Sequence, residues 1–176
     1  MPEMNFNTKS GETIAREMLI AYLNTGDSET PVWSPIGKRV EDSSQEYDWG
    51  EETSRDILGN TWAKLQKPVI TQTFDPNDLD SGDEAQHQIW NLAVREQNAQ
   101  ALANQDMLIV HLYAGTADTA VFAERYESCM VKPSSLGGAG GGNIGMPLDI
   151  TYGGKRTIGT ASISAGVVTF TPDTEV

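Results

Sequence analysis

Between Asp75 and Gln105 the chain carries its one strong helical pattern, in a sequence otherwise made of strand-like alternation and glycine turns. Ser81 followed by Glu84 has the spacing of a capping box, and Asp83 and Glu84 place negative charge where the free amides of a first helical turn point. From there Ala85, Ile89, Leu92, Ala99 and Ala103 recur at helical spacings, with Gln86, Gln88, Asn91, Arg95 and Gln97 largely on the other side. The pattern predicts one flanking helix over about 81–104 that packs by one face. Trp90 sits beside the stripe, where it either widens the buried face or anchors a subunit contact. A single helix on a β-scaffold suggests construction, not catalysis.

The strands are read from alternation. Met18 to Leu23 is a short apolar run that ends in the turn Asn24-Thr25-Gly26-Asp27. Residues 28–46, with Pro31, Pro35 and Gly37, read as a long loop carrying a little extended structure, and loops of that length are usually functional or disordered. Glu46–Leu58 and Thr61–Gln66 read as a hairpin about Gly59-Asn60, a pair that suits a type II′ turn. Val69 to Phe74 has β-branched alternation, Met107 to Tyr113 is a nearly continuous apolar run suited to the middle of a core, and 119–131 supplies the next strand. Met146, Leu148, Ile150 and Tyr152 share one face of a strand, and a C-terminal meander follows with a turn at Ser164-Ala165-Gly166. The fold class is therefore mainly β, as two packed antiparallel sheets in a sandwich or barrel with one flanking helix. The 176 residues suit a single domain, with an N-terminal arm over about 1–14, the long loop over about 27–46 and a Gly-rich loop over about 134–145.

Charge and cysteine content limit the function classes. Twenty-five acidic against twelve basic residues give a formal net charge of −13, which argues against gripping nucleic acid by counterion release. It equally suits a surface past which DNA slides without sticking. Residues 1–60 hold twelve acids and five bases, so the charge is concentrated in the first third. Cys129 is the one cysteine and reads as a buried thiol with no disulfide partner. The N-terminus lacks a basic segment followed by an apolar run, and no stretch reaches the roughly 20 apolar residues of a membrane span, so the expectation is a soluble product made in the cytoplasm with no membrane partner.

Each motif of chemical interest lacks its context. Gly140, Gly142 and Gly145 fit G-x-G-x-x-G, yet Pro147 and an alternating strand follow where a phosphate site needs a helix. The stretch reads better as a flexible loop that fits against a neighbouring subunit. An EF-hand begun at Asp78 would place Gly82 at a ligand position and Ile89 at its twelfth. His87 and His111 have no metal-ligand spacing, and no G-x-S-x-G elbow occurs. The sequence thus predicts no catalytic residue, no metal and no cofactor.

Four segments together resemble the major tail tube proteins of bacteriophages and prophages of Gram-positive bacteria, chiefly those with long non-contractile tails. They are WSPIGKRVEDSSQEYDWGEE at 33–52, DILGNTWAKLQKPVITQTFDP at 56–76, IWNLAVREQNAQALANQDMLIVHLYAG at 89–115, and residues 123–161 around LGGAGGGNIG. The resemblance implies a virion protein of the phage tail that forms hexameric rings stacked into a tube for DNA delivery. Its implied partners are further copies of itself, a tape measure protein, a tail-tip initiator and a tail terminator, with DNA passing through the lumen unbound. Contacts between subunits or rings are expected at Trp33, Pro35, Gly37, Gly138, Gly140, Gly141 and Gly142; lumen-facing residues are not identified. The competing reading is a non-enzymatic β-sandwich binding module, either virion-decorating or carbohydrate-binding, with Trp33, Trp49 and Trp62 lining the surface.

Overall fold

The computed structural model describes residues 3–174. Its strands are β1 (Leu19–Asn24), β2 (Trp33–Ile36), β3 (Gln45–Asp48), β4 (Glu52–Arg55), β5 (Thr61–Lys64), β6 (Val69–Phe74), β7 (Gln105–Thr116), β8 (Ala120–Pro133), β9 (Leu148–Tyr152), β10 (Arg156–Ser164) and β11 (Val167–Pro172). Every pairing is antiparallel, and the chain is mainly β with a flanking helical segment.

Two sheets share β8. One edge of β8 pairs with β7, while the other pairs with β10 over 121–126 and with β9 over 130–133. This divides the ladder into β2-β1-β7-β8-β10-β11 and β3-β6-β9-β8. The crossing from β9 to β10 depends on Gly154, whose φ is +77° and where a Cβ would lie 2.7 Å from the amide nitrogen of Ser128. Only glycine fits both constraints.

The continuous apolar run in β7 has a physical reason. Met107 and Ile109 enter a large core with Leu23, Ile70, Phe74, Ile89, Val131 and Ile150, while Leu108 and Val110 enter a second core with Tyr22, Trp33, Val121 and Val168. Strand alternation sends successive side chains to opposite faces, and β7 is covered on both. The pattern in β9 is the half-buried kind, and Met146, Leu148, Ile150 and Tyr152 all enter the core as the alternation predicted.

The helix is interrupted. α1 (Glu84–Trp90) runs into a π-helical turn over Asn91–Arg95, and a separate α2 (Ala99–Leu102) follows. Gln97 takes a left-handed φ of 51°, and the Asn98 side chain accepts from the amide of Ala101 at 3.1 Å. An asparagine at that point offers the backbone a new N-cap in place of continued helix. Ala99 and Ala103 are consequently exposed, and the buried stripe reduces to Ala85 and Ile89, with Trp90 half-buried against the core.

The start of α1 also differs from the capping-box expectation. Asp83, not Ser81, is the N-cap, and its carboxylate accepts from the amide of Gln86 at 3.0 Å. Buried Gln86 reaches back to accept from the amide of Asp80 and to donate to Asn77 and the Asp78 carbonyl, joining the helix to the preceding segment. Asp83→Ala is expected to cost about 1 kcal/mol and Ser81→Ala close to nothing. Equal losses in thermal melts would contradict this assignment.

Candidate functional site

The segment between β3 and β6 leaves the body of the protein. Glu46 to Asp48, expected in the first arm of a hairpin, belong to β3 and pair with β6, so the hairpin proper is β4–β5. All eight residues of its two strands are exposed, and it forms a separate sheet. An isolated two-stranded hairpin is at best marginal in water.

Asp56 organises the tip. Its carboxylate accepts from the amides of Leu58 and Asn60, both at 2.9 Å, from the Asn60 side chain at 2.9 Å and from the Trp62 indole at 3.1 Å. The loop therefore closes over 56–60 rather than as a two-residue turn at Gly59-Asn60, although Gly59 does take a positive φ of 85°. These donors, the Asn60 side chain first, bring the Asp56 carboxyl down to about 2. The folded value lies below the ordinary one, so the charge-dependent order of the loop is complete above about pH 4 and is lost as pH falls through about 2. A carboxyl titration by NMR is expected to give that low midpoint, and a midpoint near 4 would mean that the four donors are not held.

What the tip presents is apolar. Ile57 is 102% exposed, Leu58 82% and Trp62 63%, with exposed Leu65 behind them and Trp49 at the base. Among the described residues no core lies beneath them. Isolated surface apolar side chains are ordinary, but a cluster on a projecting element marks an interaction site. Open sheet edges also favour association. The outer edges of β3 and β11 have no ladder partner among the described residues, nor does that of β2, which carries Pro35. Such edges are strand-pairing templates, and proline is a common way of blunting one.

The sequence-predicted contact residues are divided by the structure. Trp33 is 7% exposed and packs inside its own chain, with the Arg125 guanidinium 5.6 Å from its ring centre. It is not available to a ring contact or to a sugar. Pro35 and Gly138, Gly140, Gly141 and Gly142 are exposed, and Gly37 is half-buried beside the Phe74 ring. The glycine loop is tied down where free adaptability was expected. Gly137 and Gly145 exchange two backbone hydrogen bonds, Leu79 N–H donates to the Ile144 carbonyl, and the Asn143 amide donates to Asp78 at 3.3 Å. It folds back on the segment before α1, and β9, not a helix, follows it. The long loop 27–46 is likewise built: β2 lies within it, and the Asn24 side chain accepts from the amides of Gly26 and Val32.

The buried polar groups around Glu124 are paired with one another. Glu124, 4% exposed, receives His111 Nε2 at 3.0 Å and Arg156 Nε at 2.7 Å, while His111 Nδ1 meets the Tyr113 hydroxyl at 2.8 Å. Burial alone would raise the Glu124 carboxyl, but the hydrogen bonds and charges of His111 and Arg156 outweigh it and hold the group below its ordinary range. Cys129 is buried and its thiol is pushed up to about 12, mainly by burial, which makes it a poor nucleophile. A cleft of about 390 Å³ lies between Arg16, Leu19, Ile36, Val40 and Phe74, but the Arg16 guanidinium is already donated to the Ser43 and Leu19 carbonyls. Among the described residues no three His, Cys, Asp or Glu side chains are grouped to hold a metal, and no helix is long and apolar enough to cross a membrane.

The hairpin is legible in the sequence, but what its tip exposes is not. Ile57 and Leu58 were signalled only by two adjacent aliphatic residues immediately before Gly59-Asn60, where turn chemistry favours polar ones.

No family model matches the chain, and no curated protein sequence matches it. Among solved structures it is similar to a chain of the PVC extracellular contractile injection system sheath-tube complex in the extended state (TM-score 0.47, 13% identity, 85% of this chain and 93% of that one). It is also similar to a chain of the sheath/tube terminator of the same system (TM-score 0.45, 16% identity, 85% and 99% covered). A third is the tube-terminating cap of the anti-feeding prophage (TM-score 0.45, 17% identity, 88% and 96% covered). At this overlap and identity none of them assigns a role to this chain.

Proposed function

We propose that this chain is a structural, non-enzymatic subunit that assembles with copies of itself, as stacked hexameric rings, into a tube of the phage-tail type. The observation that carries the reading is the β4–β5 hairpin, an exposed element with no core of its own and an aliphatic tip. An element of this kind gains most of its stability from a surface that covers it. A projecting knob received elsewhere on an identical molecule is a heterologous contact, which propagates as a ring or filament. Open outer edges on β3 and β11 are consistent with closure around a ring. The resemblance of the four sequence segments to tail tube proteins points the same way. In such a tube the net charge of −13 would keep DNA in the lumen from adhering, and tape measure, tail-tip initiator and terminator proteins would be its partners within the virion.

Sedimentation velocity across a concentration series tests this. Wild-type protein is expected to populate species far heavier than the 19.1 kDa monomer as concentration rises. One observation favours a second reading: the exposed Tyr47 and Trp49 rings lie nearly parallel, 6.0 Å apart between centres, a surface on which a sugar could stack. A monomer at all concentrations that binds a glycan array would replace the tube reading with that one.

A further inference from the structure

The N-terminal arm fills a defect in β7. β1 begins at Leu19 opposite His111, so β7 continues from Leu112 to Thr116 with no β1 partner on that edge. On its other edge the pairing with β8 jumps from His111↔Phe122 to Gly115↔Val121, leaving Leu112, Tyr113 and Ala114 as a bulge. Bulges leave ladder groups unpaired and are features that a fold uses, not defects.

The arm supplies the missing partners. Asn7 N–H donates to the Tyr113 carbonyl at 2.9 Å, Gly115 N–H donates to the Asn5 carbonyl at 2.9 Å, and the Asn7 side chain donates to the Leu112 carbonyl at 2.8 Å. Phe6 lies opposite Ala114 and packs edge-on against the Tyr113 ring at 5.5 Å. The match in spacing is specific, but the hold is slight. Phe6 remains 66% exposed even when seated, and residues 9–15 behind it are exposed and joined by one local bond, from Glu12 N–H to the Lys9 carbonyl.

We propose that residues 3–8 are an exchangeable strand, and that in the assembled protein the bulged edge Leu112–Gly115 of one copy receives residues 3–8 of a neighbouring copy. The proposal rests on the self-assembly reading above. The occupant is identified by the contact already made: the segment that satisfies this edge is the chain's own, and a second copy offers the same three donors and acceptors. Intra- and intermolecular seating form the same bonds, so the balance is set by the connecting segment and by local concentration. A short connector gives an effective concentration on the order of millimolar, which a neighbour in an ordered array matches. Exchange of an identical element between protomers is a low-cost route to linkage.

A disulfide test separates the two seatings. Phe6 and Ala114 form a non-hydrogen-bonded antiparallel pair, whose roughly 4.5 Å Cα separation suits a disulfide. Chains carrying only Phe6→Cys are mixed with chains carrying only Ala114→Cys, assembled and oxidised, and run on a non-reducing gel. Buried Cys129 does not compete. The expected result is a disulfide-linked heterodimer as the major product of assemblies. A double variant, Phe6→Cys with Ala114→Cys, is expected to bridge within one chain when dilute and between chains when assembled. Assemblies in which the double variant bridges only within chains would overturn the exchange while leaving self-assembly intact. Wild-type protein that stays monomeric would overturn both. Because Ala114→Cys alters a buried site, Asn7→Pro provides an independent reading by removing the backbone and side-chain donors of the arm. Because the same bonds hold the arm in the free chain, it is expected to lower the melting temperature of the dilute protein slightly and to speed the dissociation of assemblies on dilution about tenfold, since a neighbour's arm no longer has to leave its seat, and an unchanged dissociation rate would contradict the proposal.

Discussion

Ile57→Asp combined with Leu58→Asp is expected to leave the protein folded and to abolish its self-association at concentrations where the wild type assembles. The two side chains touch no core, so far-UV circular dichroism and the thermal midpoint should be those of wild type. Covering a fully exposed Ile or Leu is worth about 1.5–3 kcal/mol each, and placing a carboxylate in the same contact adds a desolvation cost. A loss of about 3 kcal/mol corresponds to a critical concentration at least about 100-fold higher. Asp56, which shapes the loop, is left in place, so the hairpin should keep its fold. Wild-type sedimentation by the double variant would remove the hairpin tip from the contact. A collapsed melting curve would show instead that the tip packs within its own chain.

Arg156→Ala is expected to produce the largest change in monomer stability among single exposed-side substitutions, and to make that stability less sensitive to acid. Arg156 is itself half exposed, yet the Glu124 carboxylate that it meets is buried beside His111 and Tyr126. Removing one partner of a buried ion pair costs about 3–5 kcal/mol, and solvent access to Arg156 brings the expectation here to about 2–3 kcal/mol. The sign of the pH effect follows from the folded value of Glu124 lying below its ordinary 4.5. A depressed carboxyl contributes stability that is fully present above the unfolded value and is lost as pH falls through the folded one. Wild-type urea midpoints should therefore hold from pH 7 to about 5 and fall below about 4.5. Without the guanidinium, burial is less well opposed and the Glu124 carboxyl rises, so the folded state gives up less on protonation and the decline below about 4.5 should be shallower. Parallel curves for the two proteins would mean that Glu124 is not held by Arg156.

What could be read from the residues was what depends on local pattern. Alternation located β6, β8, β9 and both strands of the terminal hairpin, and the unbroken run in β7 foretold a strand covered on two sides, because periodicity reports burial directly. Local competition between caps was not legible. Ser81 and Asp83 both suit an N-cap, and the choice fell to Asp83 because buried Gln86 ties the preceding turn to the helix. The break at Gln97 and Asn98 was hidden for the same reason, since asparagine within a helical pattern carries no mark of whether it caps or continues. Nor could spacing show that Trp33 turns inward while Trp62 turns out, because both sit in short strands beside turn residues. The candidate surface depended on such long-range facts. Its hairpin was visible as a turn between two strands, but its lack of any underlying core was a property of the folded chain. The bulge that seats Phe6 is likewise invisible until β1, β7 and β8 are brought together.

Negative-stain electron microscopy of concentrated purified protein decides whether this subunit builds a tube. Rings or hollow filaments of uniform diameter with a central channel are the predicted result. Discrete particles of monomer size at every concentration, with and without a tail-tip initiator, would contradict it.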